Sequence, residues 1–290
     1  MTPSNGSEIK KITTDNTEYP ELLKNIGGSP ILYCHGQWPD QKKPTVAIVG
    51  TRKATQDGCL AAKRLAKELA EKGFVIVSGL ALGIDAAAHE GALAGNGETI
   101  AVLANGVDQI YPRSHERLGE EILKRNGLLI SEYEPGTPPY PSQFLARNRI
   151  ISGLSLATII IEAPRRSGAL VTARWALDQG REVFVMPGNP FSQNYQGSHM
   201  LIRNGARLVT KAEDVIEDLG LAQEKEVDLN ELEPIAKAIL ELIMENENGL
   251  PIDKIAENIK DDLHIVAEQL TYLVFEGLLE EKNGKFLRRR

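Results

Sequence analysis

Cysteine is scarce: two among 290 residues, Cys34 and Cys59. So few exclude a disulfide framework and point to a reducing compartment. No metal is expected either, because Cys34-His35 lacks a second ligand pair at suitable spacing. Long apolar runs are missing as well. Met1–Tyr19 is polar and holds no segment long enough for a signal peptide or a membrane span. That predicts a cytoplasmic protein with a flexible start and no membrane partner. There is no internal repeat and no low-complexity tract. No strand leads into Gly-x-Gly-x-x-Gly, and no Walker A lysine motif occurs, so no nucleotide cofactor is expected.

Positive charge is short overall, with a net charge of −7. The deficit is local. Residues Glu231–Glu276 hold three lysines and eleven acids, which leaves the rest slightly positive. Exposed charges more than about 8 Å apart are screened from one another at physiological salt, so global acidity does not exclude a local basic groove.

What is present is a regular alternation. A proline-rich lead-in over 20–44 carries a short strand at Ile31-Leu32-Tyr33. Strands follow at 45–50, 74–79, 99–104, 127–132, 157–163 and 182–187, and helices at 58–72, 84–95, 114–125, 142–153, 168–180 and 197–204. Short apolar strands alternating with amphipathic helices predict an α/β fold, a mostly parallel sheet covered on both faces. Arg207–Val209 and residues 211–219 close this domain. A polar linker spans 221–232. Helical periodicity at 234–247, 252–259 and 261–276 is then followed by an Asn283-Gly284 hairpin, the order of a small winged-helix domain. The reading is therefore a flexible start over 1–19, an α/β domain over 20–220, a linker over 221–232 and a C-terminal domain over 233–290.

In a parallel α/β fold, ligands bind beyond the carboxyl ends of the strands. The first such loop, after Val46–Gly50, is Thr51-Arg52-Lys53-Ala54-Thr55. It places an arginine before a helix N-terminus that already favours an anion. Four more loops converge on the same edge, carrying Ser78-Gly79, Tyr111 to Arg113, Phe144 to Arg149, and Arg165-Arg166-Ser167-Gly168. Arginines grip phosphate in a fork, aromatic rings stack on unpaired bases, and glycine and serine let backbone amides approach an anion. The candidate nucleic-acid contacts are Gly50, Arg52, Lys53, Ser78, Gly79, Arg113, Phe144, Arg147, Arg149, Arg165, Arg166, Ser167 and Gly168. No loop offers a nucleophile–base pair, so no catalytic residue is assigned.

Several stretches in order resemble the DprA/Smf family (DNA-processing protein A). They are Val49-Gly50-Thr51-Arg52, Ser78-Gly79 through His89, Tyr111-Pro112, Arg147-Asn148-Arg149-Ile150-Ile151, Ser167 through Ala173, Gly180 through Phe184, and Met186-Pro187-Gly188. The resemblance runs from about Tyr19 to Leu219. It implies an extended Rossmann-like fold, a homodimer, and a protein that binds single-stranded DNA and loads RecA recombinase in natural transformation. By motif position it makes Arg52 and the Arg165–Gly168 loop DNA contacts, with base stacking from Phe144–Arg149. Departures are Phe144-Leu145 where Phe-Pro is frequent, Asn105 where a small residue is usual, and His199 where asparagine is common. The helical N-terminal domain of some members is expected to be absent, since few residues precede Tyr19.

Simpler roles compete at single positions. Arg147 and Arg149 cannot point the same way on one helix, so one faces the groove and the other can pair with Glu132 or Glu162. Phe144 can stack on a base or pack in the core. Asp85 and His89 read as structural. Leu201, Ile202 and Leu208 could form an apolar dimer patch. The third C-terminal helix offers acids and no lysine or arginine, so it is not expected in a DNA groove, where phosphate contacts dominate affinity. The alternative is an enzyme similar to LOG-type phosphoribohydrolases. Their Pro-Gly-Gly-x-Gly-Thr-x-x-Glu signature is replaced here by Pro164-Arg165-Arg166-Ser167-Gly168-Ala169-Leu170-Val171-Thr172, which lacks the glycine pair and the catalytic glutamate.

Overall fold

The computed structural model describes residues 8–221, 232–246 and 248–288. Its contacts divide the chain into two compact units, 1–222 and 223–290. Strands β1 (Lys10–Ile12) and β2 (Leu32–Gly36) flank helix α1 (Glu21–Lys24). Then come β3 (Thr45–Val49), α2 (Gln56–Glu71), β4 (Val75–Ser78), α3 (Ile84–Ala94), β5 (Thr99–Val102), α4 (Glu116–Lys124), β6 (Leu128–Ser131), α5 (Pro141–Gly153) and β7 (Ala157–Ile160). The unit ends with α6 (Gly168–Asp178), β8 (Glu182–Val185), α7 (Gln196–Arg203), β9 (Arg207–Leu208) and α8 (Ala212–Asp218).

Strands β1 to β9 form one sheet in the order β1-β2-β6-β5-β4-β3-β7-β8-β9. It is parallel from β6 to β9, and β2 pairs antiparallel with both β1 and β6. Strands β4 to β7 are buried along their whole length. That is why they read as near-continuous apolar runs, with only Ser78, Thr99, Ser131 and Thr158 polar, rather than as alternations. Helix α2 shows the other pattern: Gly58, Ala62, Leu65, Ala66, Leu69 and Ala70 form its buried stripe. It lies close against α3, where a Cβ on Gly91 would sit 2.3 Å from the Lys63 carbonyl oxygen.

Two boundaries differ from expectation. The strands stop one to three residues early, because Gly50, Gly79, Leu103 and Ile161 already turn into the loops at the sheet edge. Residues 8–19, expected to be a flexible start, carry an edge strand instead. Lys10–Ile12 pairs with Leu32–Cys34, and both Ile12 and Tyr19 are buried. The Tyr19 hydroxyl donates to the Pro30 carbonyl at 2.8 Å. A three-residue strand with one inward side chain leaves little trace in hydropathy. Residues 1–7 and nearly all of the expected linker over 221–232 lie outside the described residues.

The C-terminal unit contains α9 (Pro234–Met244), α10 (Ile252–Ile259), α11 (Leu263–Phe275), and a hairpin of β10 (Leu279–Lys282) and β11 (Lys285–Arg288). Asn283 and Gly284 both have positive φ, 54° and 72°, as a type I′ turn requires. Its core is Ala236, Ile239, Leu240, Ile243, Ile255, Val266, Leu270, Leu273 and Leu279. Among the described residues, no helix is long and apolar enough to cross a membrane.

Candidate nucleic-acid interface

The connection leaving β3 runs to β4 and that leaving β7 runs to β8, toward opposite halves of the sheet, so a crevice opens between these two strands at the carboxyl edge. Gly50 ends β3. A Cβ there would lie 2.4 Å from the Ile84 side chain and 3.0 Å from the Glu162 carbonyl oxygen, so only glycine lets the loop pass. Thr51 N–H donates to the Glu162 carbonyl at 2.7 Å. The fully buried Glu162 carboxylate accepts from Thr55 N–H and from the Asn194 amide, both at 3.0 Å, and from the Thr55 hydroxyl. The same Thr55 oxygen caps α2 by accepting from Gly58 N–H. The loop is thus fixed by its backbone while the Arg52 side chain stays exposed.

Arg52 forms no ion pair among the described residues. Its guanidinium carbon sits 4.7 Å from the centre of the Phe144 ring. Tyr111 stands beside that ring, centroids 5.8 Å apart and tilted by 56°. Across the cleft, of about 570 Å³, are Arg166, Ser167 and Gly168. Ser167 caps α6 by accepting from Ala169 N–H at 3.2 Å. The open N-terminus of α6 therefore lies on the cleft with its amide donors and positive dipole end. A cation stacked on an aromatic ring, a second arginine and a helix N-terminus make a site for a phosphate that also carries a flat base.

The structure brings Gly50, Arg52, Phe144, Arg166, Ser167 and Gly168 together around this cleft. It does not do so for Lys53, Ser78, Gly79, Arg113, Arg149 and Arg165. Arg147 reaches the cleft, but its side chain is buried and its Nε and Nη1 are taken up by the protein. It donates to the carbonyls of Gly79, at 2.8 Å, and Val102, and to the Asn148 side chain at 3.3 Å. Those carbonyls end β4 and β5, so Arg147 closes the strand ends rather than gripping a ligand. Gly79 is glycine for that reason, since a Cβ would meet the Arg147 guanidinium at 2.5 Å. Ser78 is buried and donates to the Ile48 carbonyl at 2.7 Å. Arg149 turns away and pairs with Glu132 at 2.5 Å, both side chains largely buried. Arg113 is exposed beyond the cleft. Lys53 is exposed next to Arg52. Arg165 lines a neighbouring cleft with His199 and Arg203, apart from Arg166.

Sequence reasoning offered Glu162 only as a partner for Arg147 or Arg149, whereas it holds Thr55 and Asn194, and it passed over Asn194. Glu162 carried a signal: an acid directly after a fully buried strand must find donors. Asn194 carried none, because its role depends on a fold contact with the Lys53 carbonyl at 3.0 Å and with Glu162.

Three titratable groups shape the scaffold. Burial lowers Arg147 to about 10, so it stays cationic at neutral pH. Burial raises the Asp85 carboxyl, and Arg147 opposes that rise. His89 is fully buried and lowered to about 3, chiefly by loss of solvent. Its Nδ1–H donates to the Thr99 hydroxyl at 2.8 Å, because that hydroxyl already donates to the Ile76 carbonyl at 2.6 Å. A proton on Nε2 would have no acceptor. A histidine with a depressed folded pKa binds its proton more readily when unfolded, so stability falls as pH drops below the unfolded value of about 6.5. From this group alone, the urea unfolding free energy is expected to fall by about 2 kcal/mol between about pH 7 and pH 5. His89→Gln should flatten that slope; an unchanged slope would remove His89 as its source.

Comparisons with known proteins place this geometry. Residues 10–220 match the family model for DNA recombination-mediator protein A. Protein Smf of Escherichia coli K12 is 38% identical over 288 residues, covering 96% of this chain and 77% of that protein. The DNA processing protein DprA of Streptococcus pneumoniae is 43% identical over 199 residues, covering 68% and 70%. A solved structure of DprA from Streptococcus pneumoniae superposes with a TM-score of 0.68 at 39% identity, covering 73% of this chain and 75% of that one. DNA processing protein A from Helicobacter pylori, described for its single-stranded DNA binding mode, gives 0.64 at 35% identity, covering 74% and 98%.

Proposed function

The chain belongs to the DNA recombination-mediator protein A family, and from that premise we propose that its cleft binds single-stranded DNA and delivers it to RecA recombinase. The observation that carries the DNA reading is Arg52 stacked on Phe144 opposite the open N-terminus of α6. Arg52 and the α6 amides take a phosphate; Phe144 and Tyr111 offer faces to a neighbouring base. The relative from Helicobacter pylori, described for binding single-stranded DNA, supports the same ligand. Binding without a chemical step fits the groups turned to the cleft, which grip rather than react. The test is fluorescence anisotropy with a labelled oligo-dT strand and a duplex control. Tight binding to the single strand that weakens steeply as salt rises is the expected result. An equal preference for duplex, or no binding, overturns the reading.

RecA delivery is tested separately, by whether the protein speeds RecA filament formation on single strands. The proposed homodimer uses Leu201, Ile202 and Leu208. Leu208 is half exposed, while Leu201 and Ile202 already pack partly against their own core. Ile202→Glu is expected to give a monomer in light scattering; a variant that stays dimeric removes α7 from the interface. We read the C-terminal unit as a winged helix whose α11 takes no phosphate. That helix has no lysine or arginine and exposes Leu263, Ile265, Tyr272 and Phe275.

A further inference from the structure

Phe191 is 93% exposed. Single exposed apolar residues are ordinary, but this one stands on a fixed loop. The loop follows β8, the neighbour of β7, so it rises from the same sheet edge as Arg52 and Arg166, one strand further out. Its first half is packed down: a Cβ on Gly188 would sit 2.1 Å from the Tyr195 ring, and His199 Nε2 lies 3.2 Å from the Gly188 carbonyl. Its second half is tied to both phosphate loops. Asn194 donates to the Lys53 carbonyl and to Glu162, each at 3.0 Å. Gly197 N–H donates to the Ala163 carbonyl at 2.8 Å, just before the Arg165–Gly168 loop. The turn carrying Phe191 is closed by Phe191 N–H donating to the Asn189 side chain at 2.9 Å. Lys53 follows Arg52, is joined to this loop through its carbonyl, and is exposed with no ion pair among the described residues.

We propose that Phe191 is a second stacking platform, on which a nucleobase of the bound strand lies after the chain leaves the Arg52 cleft past Lys53. This rests on the single-stranded DNA reading. The physical case is continuity. An exposed ring on a loop held by hydrogen bonds is open to a base, Lys53 beside Arg52 adds positive charge next to that loop, and every base has a face to offer. A flat apolar ring held in water by its own loop gains most from a ligand that is itself flat and joined to the neighbouring anion site.

The experiment compares wild type, Phe191→Ala and Phe191→Tyr on oligo-dT and on a strand of the same length with abasic positions, which keeps the phosphates and removes the bases. Expected is a loss of about five- to tenfold for Phe191→Ala on oligo-dT, recovery with Phe191→Tyr, and a change within about twofold on the abasic strand. Phe191→Trp should show tryptophan quenching on oligo-dT beyond that of the two native tryptophans. If wild type binds oligo-dT and Phe191→Ala matches it, the platform is overturned while the DNA reading stands. Equal losses on both strands also overturn stacking. If wild type binds neither strand, the DNA reading itself fails.

Discussion

Arg52→Ala is expected to weaken binding of an oligo-dT strand by about 30- to 100-fold, and to lower the dependence of log affinity on log salt by roughly one phosphate contact. Two losses combine. A charge-assisted hydrogen bond to phosphate contributes about 1.5–3 kcal/mol. The guanidinium also sits 4.7 Å over Phe144, an arrangement that contributes up to about 2 kcal/mol when a bound strand excludes water. Removing the guanidinium frees the ring to turn as well, so the base it would hold is less well placed. Folding should not suffer, because the loop is held by Thr51, Thr55 and Glu162 rather than by the Arg52 side chain. Arg52→Lys separates the parts. It keeps the charge and the salt slope but loses the fork and the flat stack, so it should fall between wild type and alanine. Anisotropy at several salt concentrations checks both numbers. An alanine variant that binds within about twofold of wild type would take Arg52 out of the interface.

Much of this fold was legible because its strands are buried on both faces. Runs such as Val46 to Val49 and Ala157 to Ile161 have no polar residue except Thr158, and nothing else in an α/β chain looks like that. The convergence of loops at one edge followed from parallel strands alone. The destinations of individual arginines did not. Arg147 and Arg149 lie two apart on α5 and point to opposite sides, as a helix dictates, yet neither is free. Which carbonyls and which acid occupy them depends on β4, β5 and Glu132, contacts between segments distant in sequence. The same holds for Arg165 and Arg166, which face different clefts. Glycines were informative in kind but not in cause. Gly79 reads as room for an anion; the room is filled by Arg147.

Arg147→Met is expected to destabilise the α/β unit by about 3–5 kcal/mol, the usual cost of removing one partner from a buried charge arrangement. Asp85 lies beneath the same cleft, buried, with Arg147 the largest influence opposing the rise of its carboxyl. Without the guanidinium, that carboxylate keeps only the exposed Arg52 as a nearby cation, and the carbonyls of Gly79 and Val102 lose their donor. The sign of the pH effect follows. The variant's Asp85 titrates still higher when folded, so the folded state binds the extra proton and stability falls as pH rises through that range. The gap between wild type and Arg147→Met should therefore be smaller near about pH 5 than near about pH 8; the His89 contribution is common to both and cancels. Adding Asp85→Asn removes the uncompensated charge, so the double variant should regain part of the loss at high pH, and its own stability should no longer carry the pH dependence that Asp85 gives Arg147→Met. Urea midpoints at the two pH values decide the matter. A double variant no more stable than Arg147→Met at either pH would mean that the carbonyls, not Asp85, set the cost. DNA binding separates this residue from Arg52. In conditions where Arg147→Met remains folded, its salt slope should equal that of wild type, because its guanidinium supports the cleft from below and neutralises no phosphate.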